Sequence, residues 1–199
     1  EVEQLGDVIQ ISLTPTKDQL LFLPGQFVYI RFHNQHLGSE MHPFSPSSAE
    51  QEKTLRISVK ILGDFTKMMA SELKVGEKAE VYGPFGSFYS QYIEGKTDLI
   101  WIGGGIGITP FLSMLHTEAL KTSNKKILLY YSVNKPEEAI FDPELSSVQQ
   151  LASNVTYIKW VADLQGFLTM EKIMDKSKEL GLVEPKILLC GPPPMMNAL

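Results

Sequence analysis

The residues best suited to chemistry fall into four short clusters. The first is Gly103-Gly104-Gly105-Ile106-Gly107-Ile108-Thr109-Pro110, which follows an apolar run at residues 99–102 and precedes a helical pattern. Glycines let a backbone approach a ligand closely, and a helix N-terminus offers unsatisfied amides and a positive dipole end, so this pattern suits a phosphate. A plain glycine turn is the bland alternative. Pro110 stands where the third glycine of a G-x-G-x-x-G fingerprint would be, which points away from the standard dinucleotide dehydrogenases. The second cluster is His42-Pro43-Phe44-Ser45-Pro46-Ser47-Ser48. Its prolines hold His42 and Ser45 extended, so an imidazole, an aromatic ring and a hydroxyl are displayed along a stiff strand. The third, Gly63-Asp64-Phe65-Thr66, opens a helix and offers a second anion site, with Lys60 adding positive charge; an ordinary capped helix explains it equally well. The fourth, Cys190-Gly191-Pro192, closes a strand at the end where open sheets bind ligands. A lone cysteine usually packs, and no histidine stands beside this one, so a thiol nucleophile is not expected.

The elements that must position these clusters differ between the two halves. Residues 7–13, 26–33, 55–61 and 77–82 read as strands, and Leu55, Ile57, Val59 and Ile61 alternate with Arg56, Ser58 and Lys60. Turn signals at Pro24-Gly25 and Gly83-Pro84 separate them, as in a small antiparallel barrel. One helix interrupts the pattern: Phe65, Met68, Met69 and Leu73 share a face, Asp64 is its expected cap, and the methionines are expected in the core. The second half alternates strand and helix, with strands at 99–102, 126–133, 155–161 and 186–190. Pro110, the Asp142-Pro143-Glu144 start with Asp142 as cap, Thr169 and Gly181 supply the helix boundaries. This order predicts a parallel sheet with helices on both faces. The expected architecture is therefore an antiparallel β-barrel domain over residues 1–94 and an α/β domain over 95–199, joined through a polar stretch at 91–98.

Composition removes several classes. The 199 residues are 43% hydrophobic, which is ordinary for a globular chain and argues against disorder. A net charge of -5 supplies no basic surplus for nucleic acid. A single cysteine excludes an internal disulfide and any cysteine cluster for zinc or iron–sulfur, and no metal site is expected. Residues 99–115 carry no charge, but four glycines and Pro110 make them a poor membrane helix. The chain begins at Glu1 without a methionine or a signal peptide, as a piece of a longer protein would.

Five motifs in this order resemble the ferredoxin–NADP reductase superfamily, and within it the dehydrogenase module of the NADPH oxidase and ferric reductase branch: HPFSPSS, GDFT, GPFG, GGGIGITPF and CGPPPMM. The resemblance spans essentially the whole chain. It implies an FAD-binding barrel, a Rossmann-like NAD(P)-binding domain, and hydride transfer from NADPH to FAD followed by release of single electrons. It implies that Ser45 lies near flavin N5, and that His42, Pro43 and Phe44 contact the flavin or its phosphate. Ser58, Val59 and Lys60 would border the flavin ring, and Gly63, Phe65 and Thr66 would hold the FAD pyrophosphate. Gly104, Gly105, Ile106, Gly107, Thr109 and Pro110 would form the NAD(P) pyrophosphate loop. Cys190 would sit near nicotinamide C4, with Gly191 and Pro192 beside it.

Three departures qualify what is carried over. His42 replaces the arginine usual in soluble members, which predicts looser FAD binding. No acid stands at the end of the second parallel strand, and Ser132, Asn134 and Lys135 stand where a 2′-phosphate would lie, which favours NADPH over NADH. The last strand and the aromatic residue that end the family's second domain are absent before Leu199. The branch implies a haem-containing transmembrane domain in the same chain as the electron acceptor, with this part at the cytoplasmic face of the membrane and oxygen or ferric iron as the terminal oxidant. A free soluble flavin reductase and a nucleotide-binding regulatory module without turnover are the competing readings.

Overall fold

The computed structural model describes residues 1–88, 97–119 and 124–199. Two three-stranded antiparallel sheets make up the first half. One holds β1 (Val2–Leu5), β2 (Val8–Leu13) and β5 (Leu55–Lys60) in that order. The other places β3 (Phe27–Phe32) between β4 (His42–Phe44) and β6 (Ala79–Phe85). A bridge between Pro46 and Ile57 ties the two sheets into a barrel-like body. Inward residues alternate as a period of two requires: Ile9 and Ile11, Val28 and Ile30, Ile57 and Val59 form its core. Helix α1 (Asp64–Glu72) closes one end by burying Met69; Met68, expected beside it in the core, is exposed.

The second half is a four-stranded parallel sheet in the order β10, β7, β8, β9, formed by Lys186–Cys190, Leu99–Gly104, Ile127–Val133 and Val155–Val161. Every residue of β7 is buried, as expected for a central parallel strand. Leu99 and Trp101 face α2 (Thr109–Ala119) and α3 (Asp142–Gln149). Ile100 and Ile102 face the other layer, which includes Leu168 and Ile173 of the α5 (Met170–Glu179) region. Two short helices complete the domain, α4 (Ala162–Gln165) and α6 (Pro193–Ala198). The expected architecture is observed: an antiparallel barrel-like domain followed by a parallel-sheet α/β domain.

Some local expectations fail for definable reasons. Strand β1 was not evident, because only Val2 and Leu5 of its four residues are even half-buried. Strand β6 continues through Gly83 and the cis-bonded Pro84 to Phe85 instead of ending at Tyr82. Asp64 is not the cap of α1: Gly63 takes the extended cap position and Asp64 the first turn. The hydroxyl of Thr66 reaches back to accept the N–H groups of Leu62 at 2.9 Å and Gly63 at 3.1 Å. Asp142 likewise lies inside α3, after Phe141, and its carboxylate binds Tyr157 and Lys159 of β9 instead of capping. By contrast Thr169 does cap α5, accepting from the Lys172 amide, and Gly181 follows that helix at φ +66°. The expected domain junction at 94/95 lies outside the described residues.

Candidate active site at the junction of barrel and sheet

In the parallel sheet, β8 and β10 leave β7 on opposite sides, so the strand order reverses between β7 and β10. Crevices in open α/β sheets form at such a point, beyond the carboxyl ends of the strands. Here those ends carry the glycine turn Gly105–Ile108 and the segment Cys190 to Pro192, with Cys190 paired in register with Gly103. The turn then runs into α2, which begins at Thr109 with Pro110 in its first turn.

The glycines serve packing more than open ligand approach. A Cβ on Gly107 would lie 2.4 Å from the Cys190 carbonyl oxygen. One on Gly103 would lie 2.8 Å from Ile108 Cα, and those on Gly104 and Gly191 would meet the Met195 side chain at 2.6 and 2.4 Å. The turn is therefore pressed onto the end of β10, and α6 covers both through Met195. Gly105 differs: its φ is +53° and nothing lies within 4 Å of its missing Cβ. It is the open position of the turn, where a phosphate can approach the backbone. Ile106 and Cys190 pack at the edge of the core beneath. Burial pushes the Cys190 thiol up from its ordinary value, so it stays protonated and is unsuited to nucleophilic attack.

The end of β8 holds an acid that the sequence did not reveal. Glu138 closes a short turn, Pro136–Glu138, and its carboxylate accepts the Asn134 N–H at 3.1 Å. The Asn134 carbonyl accepts the Asp163 N–H at 3.0 Å, so Asp163 of α4 stands there too. Ser132 is half-buried and Lys135 exposed at the same strand end.

On the barrel side, β4 and the start of α1 come together. The His42 ring stacks on the Phe65 ring with centroids 3.5 Å apart and planes 22° from parallel. His42 and Phe44 pair with Ile30 and Val28 on β3, whereas Pro43 pairs with Tyr29 on the outer face. Two motifs more than twenty residues apart in sequence thus form one wall, and Ser45 follows it half-buried. The first N–H groups of α1, those of Asp64, Phe65 and Thr66, have no intrahelical acceptor and are disposed to bind an anion. The Thr66 hydroxyl is engaged in the turn, as described, so amides rather than that hydroxyl are the available donors.

Other expected contacts are rearranged. Lys60 forms an ion pair with Asp7 at 3.1 Å, which offsets the charge it was expected to offer. Ser58 is buried, its hydroxyl 3.0 Å from that of Ser47 and 3.4 Å from the Gln10 amide nitrogen, and Val59 points into the barrel core. The neighbouring Arg56, one of the residues that alternate with the inward face of β5, turns to the second domain. Its guanidinium binds the Ser47 carbonyl at 2.7 Å, the Ser47 hydroxyl at 3.2 Å and Glu144 of α3 at 2.5 Å. Glu144 also meets His116 Nε2 at 2.6 Å. Burial alone would raise the Glu144 pKa, but the His116 hydrogen bond and the Arg56 charge outweigh it, so the carboxyl is held below its ordinary value. No alternation or motif marks these partners, because they lie 88 residues apart.

The two halves therefore meet at the site. Strand β5 touches the Gly105–Ile108 turn, and Val8 of β2 packs into the core of the parallel-sheet domain. A shallow depression of about 500 Å³ lies elsewhere, on the outer face of α1, lined by His36, Lys67 and Glu72. Among the described residues no helix is long and apolar enough to cross a membrane.

Two family models match the chain. The oxidoreductase FAD-binding domain family matches residues 6–89, and the oxidoreductase NAD-binding domain family matches residues 101–199. The chain belongs to the FAD- and NAD(P)-binding oxidoreductases that these two models describe, and its fold is that of the ferredoxin–NADP reductases. Among curated relatives, it is 29% identical to the toluate 1,2-dioxygenase electron transfer component of Pseudomonas putida, over all of this chain and 60% of that protein. It is 32% identical to the electron transfer subunit of dihydroorotate dehydrogenase B (NAD(+)) from Fusobacterium nucleatum, over 88% of this chain and 66% of that one. The chain thus spans about 60% of the length of the curated relatives it matches. Its fold superposes on a cytochrome P450 reductase from Amycolatopsis with a TM-score of 0.80 at 20% identity, covering 100% of this chain and 61% of that one. A flavohemoglobin from Malassezia yamatoensis with bound FAD and heme gives 0.79 at 20% identity, covering 99% and 52%.

Proposed function

We propose that this chain is the flavin- and nucleotide-binding part of an NAD(P)H-dependent electron-transfer reductase that serves a separate or fused acceptor protein. The observation that carries this reading is the contact of the Gly105–Ile108 turn of the parallel-sheet domain with strand β5 of the barrel. The His42–Phe65 wall belongs to the same barrel. When bound, FAD supplies acceptance of a hydride from the nicotinamide and release of electrons one at a time. The protein's part is to hold the two rings together and exclude water. In this reading the α1 amides hold the FAD pyrophosphate and the His42–Phe65 wall shapes its side of the cleft. Ser45 places its hydroxyl at the flavin edge. The open Gly105 position and the start of α2 receive the nucleotide phosphates, and Cys190, kept as a neutral thiol, lines the nicotinamide site.

Relatives that are electron transfer components of dioxygenases favour an oxygenase or a similar redox protein as the acceptor. The membrane haem domain implied by the ferric reductase branch is the second reading, supported by the HPFSPSS and CGPPPMM motifs. The test is flavin reduction in the full-length protein reconstituted with FAD, followed by stopped flow with NADH and NADPH. Ser45→Ala is expected to slow reduction by about ten-fold or more, the range of a lost positioning contact. Unchanged hydride transfer refutes that role. A protein that binds FAD yet oxidises neither nucleotide with an artificial acceptor refutes the reductase reading.

A further inference from the structure

One cluster of ionisable side chains joins the two domains and is not used by the reading above. Arg56 lies on β5, Glu144 on α3 and His116 in the last turn of α2. All three are largely shielded, with side-chain exposures of 19%, 24% and 24%. Shielded ion pairs contribute little net stability, because desolvation offsets their attraction, but they hold geometry tightly.

The guanidinium has two jobs at once. Its Nη2 donates both to Glu144 Oε1, the oxygen that His116 Nε2 also meets at 2.6 Å, and to the Ser47 carbonyl at 2.7 Å. Its Nε donates to the hydroxyl of Ser47, two residues beyond Ser45. The backbone repeats the clasp: the Ser47 N–H donates to the Arg56 carbonyl at 2.7 Å, and the Arg56 N–H donates to the Ser48 hydroxyl at 3.1 Å. The Ser47 hydroxyl also lies 3.0 Å from Ser58. At the opposite end, His116 sits on the helix whose N-terminus is the end of the glycine turn. A continuous set of hydrogen bonds therefore links Ser47 and Ser48 to Glu144 of α3 and, through His116, to α2, the helix that follows the glycine turn.

We propose that Arg56, Glu144 and His116 are positioning residues that fix the Ser45 segment against the nucleotide-binding turn, so that the distance for hydride transfer is set by this inter-domain clasp. The proposal rests on the reductase reading for its kinetic consequence, but not for its structural one. Hydride transfer requires reacting atoms within a few tenths of an ångström of their productive separation, and a misplacement of about 1 Å costs about 100-fold in rate. A lysine at position 56 has no counterpart of the Nε–H that donates to the Ser47 hydroxyl, and its ammonium ends one bond short of the Nη2 that serves the Ser47 carbonyl and Glu144 together.

The test uses the full-length protein and three variants, Glu144→Gln, Arg56→Lys and Arg56→Lys with Glu144→Gln. In the flavin-free protein, amide exchange at Ser47 and Arg56 is expected to quicken by about ten-fold or more in each, since the clasp holding those amides is loosened. In the FAD-loaded protein, the limiting rate of flavin reduction is expected to fall by about ten-fold or more, with FAD content and nucleotide affinity within about two-fold of wild type. The double variant should lose no more than the worse single variant, because both act through one contact. His116→Gln, which keeps a hydrogen-bond donor toward Glu144, should retain most of the rate. Wild-type amide exchange or a wild-type limiting rate in both single variants overturns the proposal. If the wild-type protein itself reduces no flavin, the reductase reading fails, and the amide exchange alone still decides whether the clasp exists. Should Glu144→Gln not fold, Arg56→Lys carries the same comparison.

Discussion

Gly107 separates two explanations of a glycine-rich turn. If the glycine is there only so that a phosphate can approach, Gly107→Ala weakens nucleotide binding and leaves the empty protein as stable as before. The packing predicts otherwise. The new methyl would lie 2.4 Å from the Cys190 carbonyl oxygen, 2.6 Å from its carbon and 2.8 Å from Gly191 Cα. Ordinary contacts to carbon lie at about 3.5–4.0 Å, so the turn and the end of β10 must separate by about 1 Å. All three atoms are backbone, in a parallel pair held by register from Lys186 to Cys190, so no side chain can swing aside. Overpacking of this kind costs about 1–3 kcal/mol, and the rigid partners place Gly107→Ala at the upper end. For a chain of this size each kcal/mol lowers Tm by about 2–4 °C, giving a drop of about 6–12 °C. The assay is thermal unfolding of the flavin-free, nucleotide-free protein. Gly105→Ala gives a smaller drop, from left-handed strain of about 1–2 kcal/mol at φ +53° with open space around it. Gly63→Ser, with ordinary backbone geometry and nothing within 4 Å, is the control and should stay near wild type. A Gly107→Ala protein that melts with wild type refutes the packing argument and restores ligand approach as the reason for the glycine.

Two further outcomes follow from the electrostatics. Glu138→Gln removes a carboxylate at the end of β8 and should raise the preference for NADPH relative to NADH by about five-fold, from about 1 kcal/mol of repulsion at a solvated site. Equal ratios of kcat/KM for the two nucleotides before and after the change would show that Glu138 does not face the ribose. Glu144 has a folded-state pKa below its ordinary value of 4.5, so its contribution to stability is present above that value and is lost as pH falls through the folded pKa. Denaturant titrations of wild type and Glu144→Gln at pH 7 and at about pH 3 should therefore differ most at neutral pH and converge in acid. A stability gap that does not narrow in acid contradicts the ion-pair assignment.

The sequence by itself determined the order and class of the elements. Leu55, Ile57 and Val59 bury one face of β5 because alternation at a period of two leaves no other choice. The uniformly apolar β7, followed by glycines and Pro110, could only be a central parallel strand entering a turn and a helix. The phosphate-turn motifs were legible for the same reason, since their chemistry is local. Only the tertiary structure decided what depends on contacts between distant segments. It showed that Gly107 is a glycine because β10 returns against it, that Thr66 rather than Asp64 closes the start of α1, and that His42 lies on Phe65. It brought Glu138 to the end of β8 through a turn too short to read from periodicity. Arg56 looked like any exposed residue of an alternating strand, and its partner Glu144 like a favourable acid in a helix's first turn. Each local role was complete in itself, so nothing in the sequence required the two to meet. The packing of one domain on the other decided that they do.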